Sequence, residues 1–180
     1  MSQGGRLLAL SYYGGDDHFG TNLHDALAPF GLVLNKDVVV DGNLPFPHPS
    51  GEFVTAHPVP GQAFVADGET VHLPWCASVT VDTKVNPAAQ PILVSGGDAK
   101  CYRLIYAEDE PGRTLDRKRM RTAAPPVAAI ATYRANGGRV AAVGSWQAFT
   151  DGTLRLPGCA NRQFLDRLLT WLLEGADDKG

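Results

Sequence analysis

Hydrophobic positions in this chain form short runs that are separated by glycine, proline and polar residues. Two of these runs, residues 127–133 and 140–143, consist of small and β-branched residues with no charge, a pattern that is typical of buried strands. The linker between them holds Asn136-Gly137-Gly138, which supplies the positive φ angles of a tight strand connection. We therefore predict a β-hairpin over residues 127–143.

Helical periodicity occurs in two places. Residues 161–173 carry one wide apolar stripe, made of Phe164, Leu165, Leu168, Leu169 and Leu172. This spacing predicts a C-terminal helix that begins with Asn161 as its N-cap and ends before Gly175. A shorter stripe in residues 22–30 predicts a second helix, with Thr21 as its N-cap and Gly31 after its last residue.

The remaining pattern predicts the organisation of the domain. Residues 6–13, 91–94 and 101–106 are apolar runs typical of strands, and the run 6–13 leads through a glycine loop into the first helix. Such a strand–loop–helix unit predicts a doubly wound α/β layer. Residues 107–126 are rich in charge and predict an exposed loop. We expect a single α/β domain over residues 1–175 and a disordered tail over residues 176–180.

The amino-acid composition and net charge argue against several classes of function. The 180 residues are 44% hydrophobic and 19% charged, with a net charge of −3, as in globular proteins whose charge attracts neither nucleic acid nor an anionic membrane. The apolar runs are shorter than the roughly 20 residues of a membrane helix, and the N-terminus lacks the pattern of a secretory signal. The three cysteines, Cys76, Cys101 and Cys159, have no regular spacing. We expect a cytoplasmic protein with reduced thiols and no nucleic-acid or membrane partner.

Small and polar residues follow the predicted strands, and ligands of open α/β sheets bind at such ends. Carboxylates, amides, hydroxyls and an indole ring hydrogen-bond or stack on sugars, so this surface suits a neutral polyhydroxyl ligand. The predicted ligand-binding residues are Gly14, Gly15, Asp16, Asp17, Thr21, Asn22, Ser95, Gly96, Asp98, Ser145, Trp146 and Asp151.

Two other readings of the first loop stay open. Asp16, Asp17, His18 and His24 are close enough in sequence to share a metal ion, although carboxylates before a helix also favour its positive end. Gly14-Gly15 before a helix suits an anion, although the two aspartates would repel one and no Gly-x-Gly-x-x-Gly pattern is present. We expect neither a metal nor a cofactor.

The patterns of nucleophilic enzymes are incomplete. No cysteine stands in the Gly-x-Cys-x-Gly turn of class I glutamine amidotransferases, and no histidine is followed two residues later by glutamate. Ser95 and Ser145 lie at strand ends without a Gly-x-Ser-x-Gly elbow. We predict no catalytic residues.

Three blocks of residues resemble one family. The first is Gly15-Asp16-x-x-Phe19-x-Thr21-Asn22-Leu23 with the residues up to Val39, the second is Pro91–Gly97 with Cys101-Tyr102-x-Leu104, and the third is Gly137–Asp151 with Asn161 and the C-terminal helix. Their order and content resemble the GIFT-type domain of the intraflagellar transport 52 kDa subunit and of gliding-motility ABC-transporter-associated proteins.

The resemblance implies a class I amidotransferase-like, flavodoxin-like sandwich with a mostly parallel sheet, a C-terminal β-hairpin and a helix. It also implies a non-catalytic module that binds or assembles with a partner protein, or binds a small, carbohydrate-like ligand. Family members have a further strand–helix–strand–helix segment before the equivalent of residues 6–13, and this sequence does not contain it. An uncovered apolar edge would follow, which we expect a protein partner or a second copy to cover.

Two alternatives accompany this hypothesis. One is a hydrolase or amidotransferase-like enzyme that uses Ser95, Cys101 or Ser145 and is completed by a partner chain. The other is a small-sugar sensor related to trehalose-utilisation-type domains of similar fold.

Overall fold

The computed structural model describes residues 4–16, 20–41, 53–106, 113–122, 124–133 and 137–174, without side chains for residues 103–106 and 113–122. The protein is mostly β: a curled, mixed sheet of six strands forms a half-barrel with few helices. The predicted helix-rich, flavodoxin-like sandwich with a mostly parallel sheet is therefore wrong. Residues 176–180, predicted as a tail, lie outside the described residues.

The main sheet contains one parallel pair, and its other pairs are antiparallel. In spatial order its strands are β1 (Arg6–Leu10), β11 (Gly138–Val143), β10 (Pro126–Tyr133), β7 (Gln90–Ser95), β4 (Phe53–Pro58) and β5 (Val71–Pro74). A parallel connection needs a crossover of a dozen or more residues, usually a helix. Between β4 and β11, the described residues form strands and turns without such a helix, which explains the antiparallel sheet.

Two smaller sheets complete the β structure. One pairs β2 (Leu32–Leu34) with β6 (Val79–Val81), and the other orders β3 (Asp37–Val40), β8 (Lys100–Tyr106) and β9 (Arg113–Thr122). Strand β9 occupies ten residues of the stretch 107–126 that was predicted as a charged loop, so that prediction is wrong for Arg113–Thr122. The partner strand β8 supplies the main-chain hydrogen bonds that the local sequence does not reveal.

The α-helices that lie wholly within the described residues are α1 (Leu23–Leu27), α2 (Asp151–Leu154) and α3 (Asn161–Leu173). The bounds of α3 confirm the predicted C-terminal helix, but the predicted N-cap is wrong: Asn161 is the first helical residue, and Ala160 is the N-cap, without a side-chain cap. Helix α1 continues as a 3-10 turn over Ala28–Phe30, and Gly31 ends it with a φ of +70°, as its sequence predicts. A further 3-10 turn covers Trp146–Phe149.

The predicted hairpin is confirmed as the antiparallel pair β10–β11, and both of its faces are buried. Ala128 and Ile130 join the hydrophobic cluster that contains Phe164 and Leu168 of α3. Ala129 and Ala131 join a second cluster on the opposite face, which contains α1 and β2. Burial on both faces explains why this hairpin reads as two continuous apolar runs.

Candidate functional site

Four aromatic side chains meet where three strands of the main sheet end. Tyr12 and Tyr13 follow β1, Trp75 follows β5, and Trp146 follows β11. The ring of Tyr12 is near two indoles, with centroids 6.1 Å from Trp75 and 6.2 Å from Trp146 and interplanar angles of 30° and 33°. Trp146 is 42% exposed, so one end of this aromatic ladder (Trp75, Tyr12 and Trp146) faces solvent.

The backbone at Trp75 is unusual. Its φ of +52° is the one left-handed value among non-glycine residues of the described chain, and a bulky residue pays for this conformation. The Trp75 carbonyl accepts a hydrogen bond from the Tyr13 amide at 2.9 Å, and its ring lies 5.2 Å from that of Tyr13. These contacts hold the ladder in place.

Sequence reasoning predicts only Trp146 of this group as a site residue, and it assigns Tyr12 and Tyr13 to the end of the strand over residues 6–13. Each of the three segments, Tyr-Tyr-Gly-Gly, Pro-Trp-Cys and Gly-Ser-Trp, puts an aromatic residue at a strand end. This recurrence of aromatic residues at strand ends is the sequence signal that could have predicted the whole group.

The glycine loop after β1 donates hydrogen bonds to other main-chain groups of the same chain. The Gly14 amide donates to Asp37 O at 2.8 Å and the Gly15 amide donates to Tyr12 O at 3.0 Å. A Cβ on Gly15, whose φ is +54°, would lie 2.7 Å from Asn35 O. The loop therefore packs against Asn35 and the first residue of β3, and Gly15 allows the close approach to Asn35.

Asp16 acts as the cap of helix α1. Its buried carboxylate accepts hydrogen bonds from Thr21 Oγ1 at 2.5 Å, Leu23 N at 3.0 Å and His24 N at 2.8 Å. Burial alone would raise the pKa of Asp16, but these hydrogen bonds outweigh it and hold the pKa below its usual value. Thr21 and Asn22 provide no side-chain cap, so the predicted cap at Thr21 is wrong and Asp16, seven residues before the helix, takes that role.

A polar pocket of about 810 Å³ opens beside this cap. It brings together three predicted ligand-binding residues, namely Asp16, Thr21 and Asn22, and also His24, which the sequence analysis considered as a metal ligand. The lining residues that the sequence analysis did not select are Gly20, Asp25 and Lys36. Asp17 and His18 lie outside the described residues, and the described part of the chain holds no group of three or more His, Cys, Asp or Glu side chains suited to a metal ion.

The two serines at strand ends are buried and bonded to main-chain carbonyl groups. Ser95 Oγ donates to Pro125 O at 3.2 Å, and Ser145 Oγ donates to Pro74 O. Each serine thus ties its strand end to a neighbouring segment.

The thiols differ in exposure. Cys101, the third nucleophile of the enzyme alternative, is 5% exposed in the core, and Cys76 is fully buried. Burial raises the pKa of Cys76 well above its usual value, with smaller contributions from Asp37 and Cys101. Burial also raises the pKa of the half-buried Cys159. Thiols with raised pKa values are weak nucleophiles near neutral pH because little thiolate forms.

The other predicted site residues are spread around the strand ends. Gly96 is packed against Asp41, since a Cβ there would lie 3.3 Å from Asp41 Oδ2. Asp98 and Asp151 are exposed.

A second pocket, of about 550 Å³, lies on the α3 side of the sheet, where sequence analysis predicted no site. Phe64, Ile130 and Trp171 form its apolar part. Arg167 donates to Ala63 O at 3.1 Å across one side of it. This pocket is a groove between α3 and the loop after β4.

Strand β1 forms one edge of the main sheet and pairs in parallel with β11. Arg139 N donates to Gly5 O, Ser11 N donates to Val143 O, and Trp146 N donates to Ser11 O. Odd-numbered residues of β1 therefore direct their main-chain groups toward β11, and the alternation of a β-ladder directs those of Arg6, Leu8 and Leu10 outward. No strand of the described residues pairs with that outer side.

Comparison with known proteins gives a likeness in fold. No family model matches this sequence, and no curated protein matches it significantly. A solved structure, described as the mmIFT52 N-terminal domain, superposes with a TM-score of 0.70 and 23% sequence identity. The match covers 96% of this chain and 66% of that chain. The resemblance to the intraflagellar transport 52 kDa subunit is thus confirmed for the fold, whereas nothing in this likeness confirms an amidotransferase-like character.

Within the described residues, no helix has the length and apolarity needed to cross a bilayer.

Proposed function

We propose that this chain is a non-catalytic binding module that assembles with another protein chain through the outer edge of β1. One observation carries the proposal: the main-chain groups of Arg6, Leu8 and Leu10 point away from β11, and no described strand lies beside them. An edge of this kind is a template for an added strand. The likeness in fold to a domain of an assembly-module family agrees with this role.

The composition of β1 supports the proposal. Soluble proteins protect edges with lysine, proline or bulges, and the sequence Arg-Leu-Leu-Ala-Leu contains none of these. Its one charge is engaged in its own subunit, because Arg6 donates to Gly137 O at 3.2 Å and to Glu174 O at 3.3 Å. The edge is therefore apolar and regular, as a docking strand should be.

We place this module in the cytoplasm and treat residues 1–175 as one domain. Three free cysteines support a reducing compartment. The two hydrophobic clusters on opposite faces of the same hairpin support a single cooperative unit. No contact of Ser95 or Ser145 favours the enzyme alternative, because both hydroxyls are held by carbonyl oxygens.

The size of the assembly in the native host tests this function. A Leu7→Lys variant replaces a half-buried leucine of the edge strand by lysine. The long stem of the lysine lets its charged end reach solvent. We expect tagged wild-type chain to elute in a larger assembly and the variant to elute alone, with an unchanged circular dichroism spectrum. Val85→Lys, at an exposed valine in the turn after β6, is the matched control and should keep the assembly. Equal assembly of wild type and Leu7→Lys would overturn the proposal.

A small polar ligand, such as a saccharide, is a second candidate function at the strand ends. The aromatic ladder favours it, because the exposed indole of Trp146 beside Tyr12 offers an aromatic surface to the apolar face of a sugar ring. Gly14, Gly15 and Asp16 follow Tyr12 and Tyr13 directly, so the polar pocket adjoins the ladder in sequence. The twelve predicted ligand-binding residues remain proposals of this second function.

Tryptophan fluorescence and thermal shift against a panel of mono- and disaccharides test the ligand. A binding sugar should change the fluorescence and raise Tm in proportion to its concentration, and Trp146→Ala should abolish both effects. Tyr133→Ala is the matched control, because Tyr133 is 41% exposed at the opposite end of the hairpin. No response to any sugar, or an unchanged response in Trp146→Ala, would remove this candidate.

A further inference from the structure

The open edge of β1 and the exposed end of α3 belong to one surface. Arg6 Nη2 donates to Glu174 O at 3.3 Å, so the helix ends beside the first residue of β1. Leu173 and Leu169, one turn apart on this end of the helix, are 60% and 38% exposed. A strand edge that needs main-chain partners thus lies next to exposed leucines that need apolar ones.

We infer that the chain that covers this surface is a second copy of the same protein, paired through β1 in antiparallel register about a two-fold axis at Leu8. This inference rests on the proposed function and names its partner. It also fixes the register, the orientation of the two sheets and the side chains at the centre of the interface.

The outward groups of β1 are self-complementary. In an antiparallel pair centred on Leu8, each Leu8 faces Leu8 of the second copy, and each Arg6 faces Leu10 of the second copy. All three outward residues then occupy hydrogen-bonded positions, where paired residues exchange both N–H···O bonds. No like charges face each other, which an edge-to-edge contact must avoid.

The two-fold axis also explains the exposed leucines. Leu8 and Leu10 pack on the face of the sheet that carries α3. An axis perpendicular to the sheet keeps both copies of α3 on that same face, with their Leu173 ends directed toward each other. A five-residue strand alone buries less than the roughly 800 Å² per partner of a stable interface, so the leucines supply apolar area that the strand lacks.

Site-directed cross-linking tests the register. In a Cys159→Ser background, Leu8→Cys puts two thiols on directly opposed residues with Cα atoms about 5.5 Å apart, within the range of a disulfide. Leu7→Cys puts its thiols in diagonal positions about 7–8 Å apart, outside that range. We expect mild oxidation to link Leu8→Cys into a covalent dimer and to leave Leu7→Cys uncoupled. Coupling of both variants, or of neither, would overturn this register.

Sedimentation velocity over a range of concentrations tests the helix contribution without changing β1. The double variant Leu169→Asp/Leu173→Asp should raise the Kd of the wild-type dimer at least about tenfold, because it buries carboxylates in the interface. Val85→Asp, at a valine that is 54% exposed elsewhere on the surface, should leave the Kd unchanged. A dimer that tolerates the double variant would overturn the inference.

Failure of the inference can be told from failure of the proposed function. If the purified chain sediments as a monomer at every concentration while Leu7→Lys still releases it from a larger assembly of the host, the second copy is excluded and the β1 edge remains the docking site. If Leu7→Lys changes neither the dimer of the purified chain nor the larger assembly of the host, the second copy and the docking role of the β1 edge are both excluded.

Discussion

The carboxamide of Asn161 binds both main-chain groups of His72 on the edge strand β5. Asn161 Oδ1 accepts from His72 N at 2.9 Å, and Asn161 Nδ2 donates to His72 O at 2.7 Å. The same Nδ2 donates to Ala148 O at 2.9 Å. The first residue of α3 therefore closes one edge of the sheet, while the opposite edge, β1, stays open.

Replacing Asn161 by alanine should destabilise the protein by about 2–4 kcal/mol, because it removes three buried hydrogen bonds to the main chain of His72 and Ala148. Urea unfolding measures this change. Arg162→Ala, at the next residue, removes only an exposed ion pair with Asp166 and should cost about 0.5 kcal/mol or less. Similar values for the two variants would contradict the role of Asn161.

Gly144 should not tolerate a side chain. A Cβ there would overlap Ala77 O and lie 2.8 Å from Cys76 Sγ, so the Ala77–Gly144 hydrogen bond of 2.9 Å would have to break. We expect Gly144→Ala to lower stability by more than about 3 kcal/mol or to prevent folding. Gly152→Ala in α2, where a Cβ meets nothing within 4 Å, should be neutral or stabilising by up to about 1 kcal/mol. Equal behaviour of the two variants in thermal melting would refute this account.

The cap at Asp16 should make stability depend on pH in the acid range. Because the pKa of Asp16 is lower in the folded chain, its contribution is present above the unfolded value, near 4, and is lost as pH falls through the folded value. At pH 7 we expect Asp16→Asn to cost about 0.5–2 kcal/mol. This cost should shrink as the pH falls below about 4. A cost that stays constant down to about pH 2 would show that the charge of Asp16 is irrelevant.

Thiol labelling should separate the three cysteines. Cys76 and Cys101 are buried, and Cys159 is half-buried with a raised pKa. We expect one thiol per chain to react under native conditions, slowly at pH 7 and faster above pH 8, and three to react in denaturant. Mass spectrometry of the labelled peptides identifies the site. Native labelling of Cys101 would contradict its place in the core.

The hydrophobic pattern predicted the elements better than their arrangement. Continuous apolar runs located β10 and β11, and the leucine stripe gave the bounds of α3, because these signals are local. Pairing is not local: β9 looks like a charged loop until β8 is placed beside it, and the antiparallel order of β7, β4 and β5 depends on contacts between distant segments. The parallel sheet was expected from one strand–loop–helix unit that the rest of the chain does not repeat.

At the candidate site, too, local sequence signals identified single residues but not their partners from distant segments. A small residue at a strand end allows a close approach to the backbone, and such an approach exists at Gly144. The approaching group is the chain's own Ala77 carbonyl, which lies 67 positions earlier and is invisible to spacing arguments. Asp16 was selected as a ligand-binding residue, and the structure shows it bonded to α1. Trp146 was selected for its ring, but its partners Tyr12 and Trp75 come from other strands.

The central claim is that the outward amides of β1 gain partners in the assembled protein. Residue-resolved amide hydrogen exchange in the wild-type chain tests it directly. In dilute chain, Arg6, Leu8 and Leu10 should exchange fast while Leu7 and Ala9, bonded toward β11, exchange slowly. In the assembled state all five should exchange slowly. Fast exchange of Leu8 and Leu10 in the assembly would contradict the claim, as would uniform protection of β1 in dilute chain.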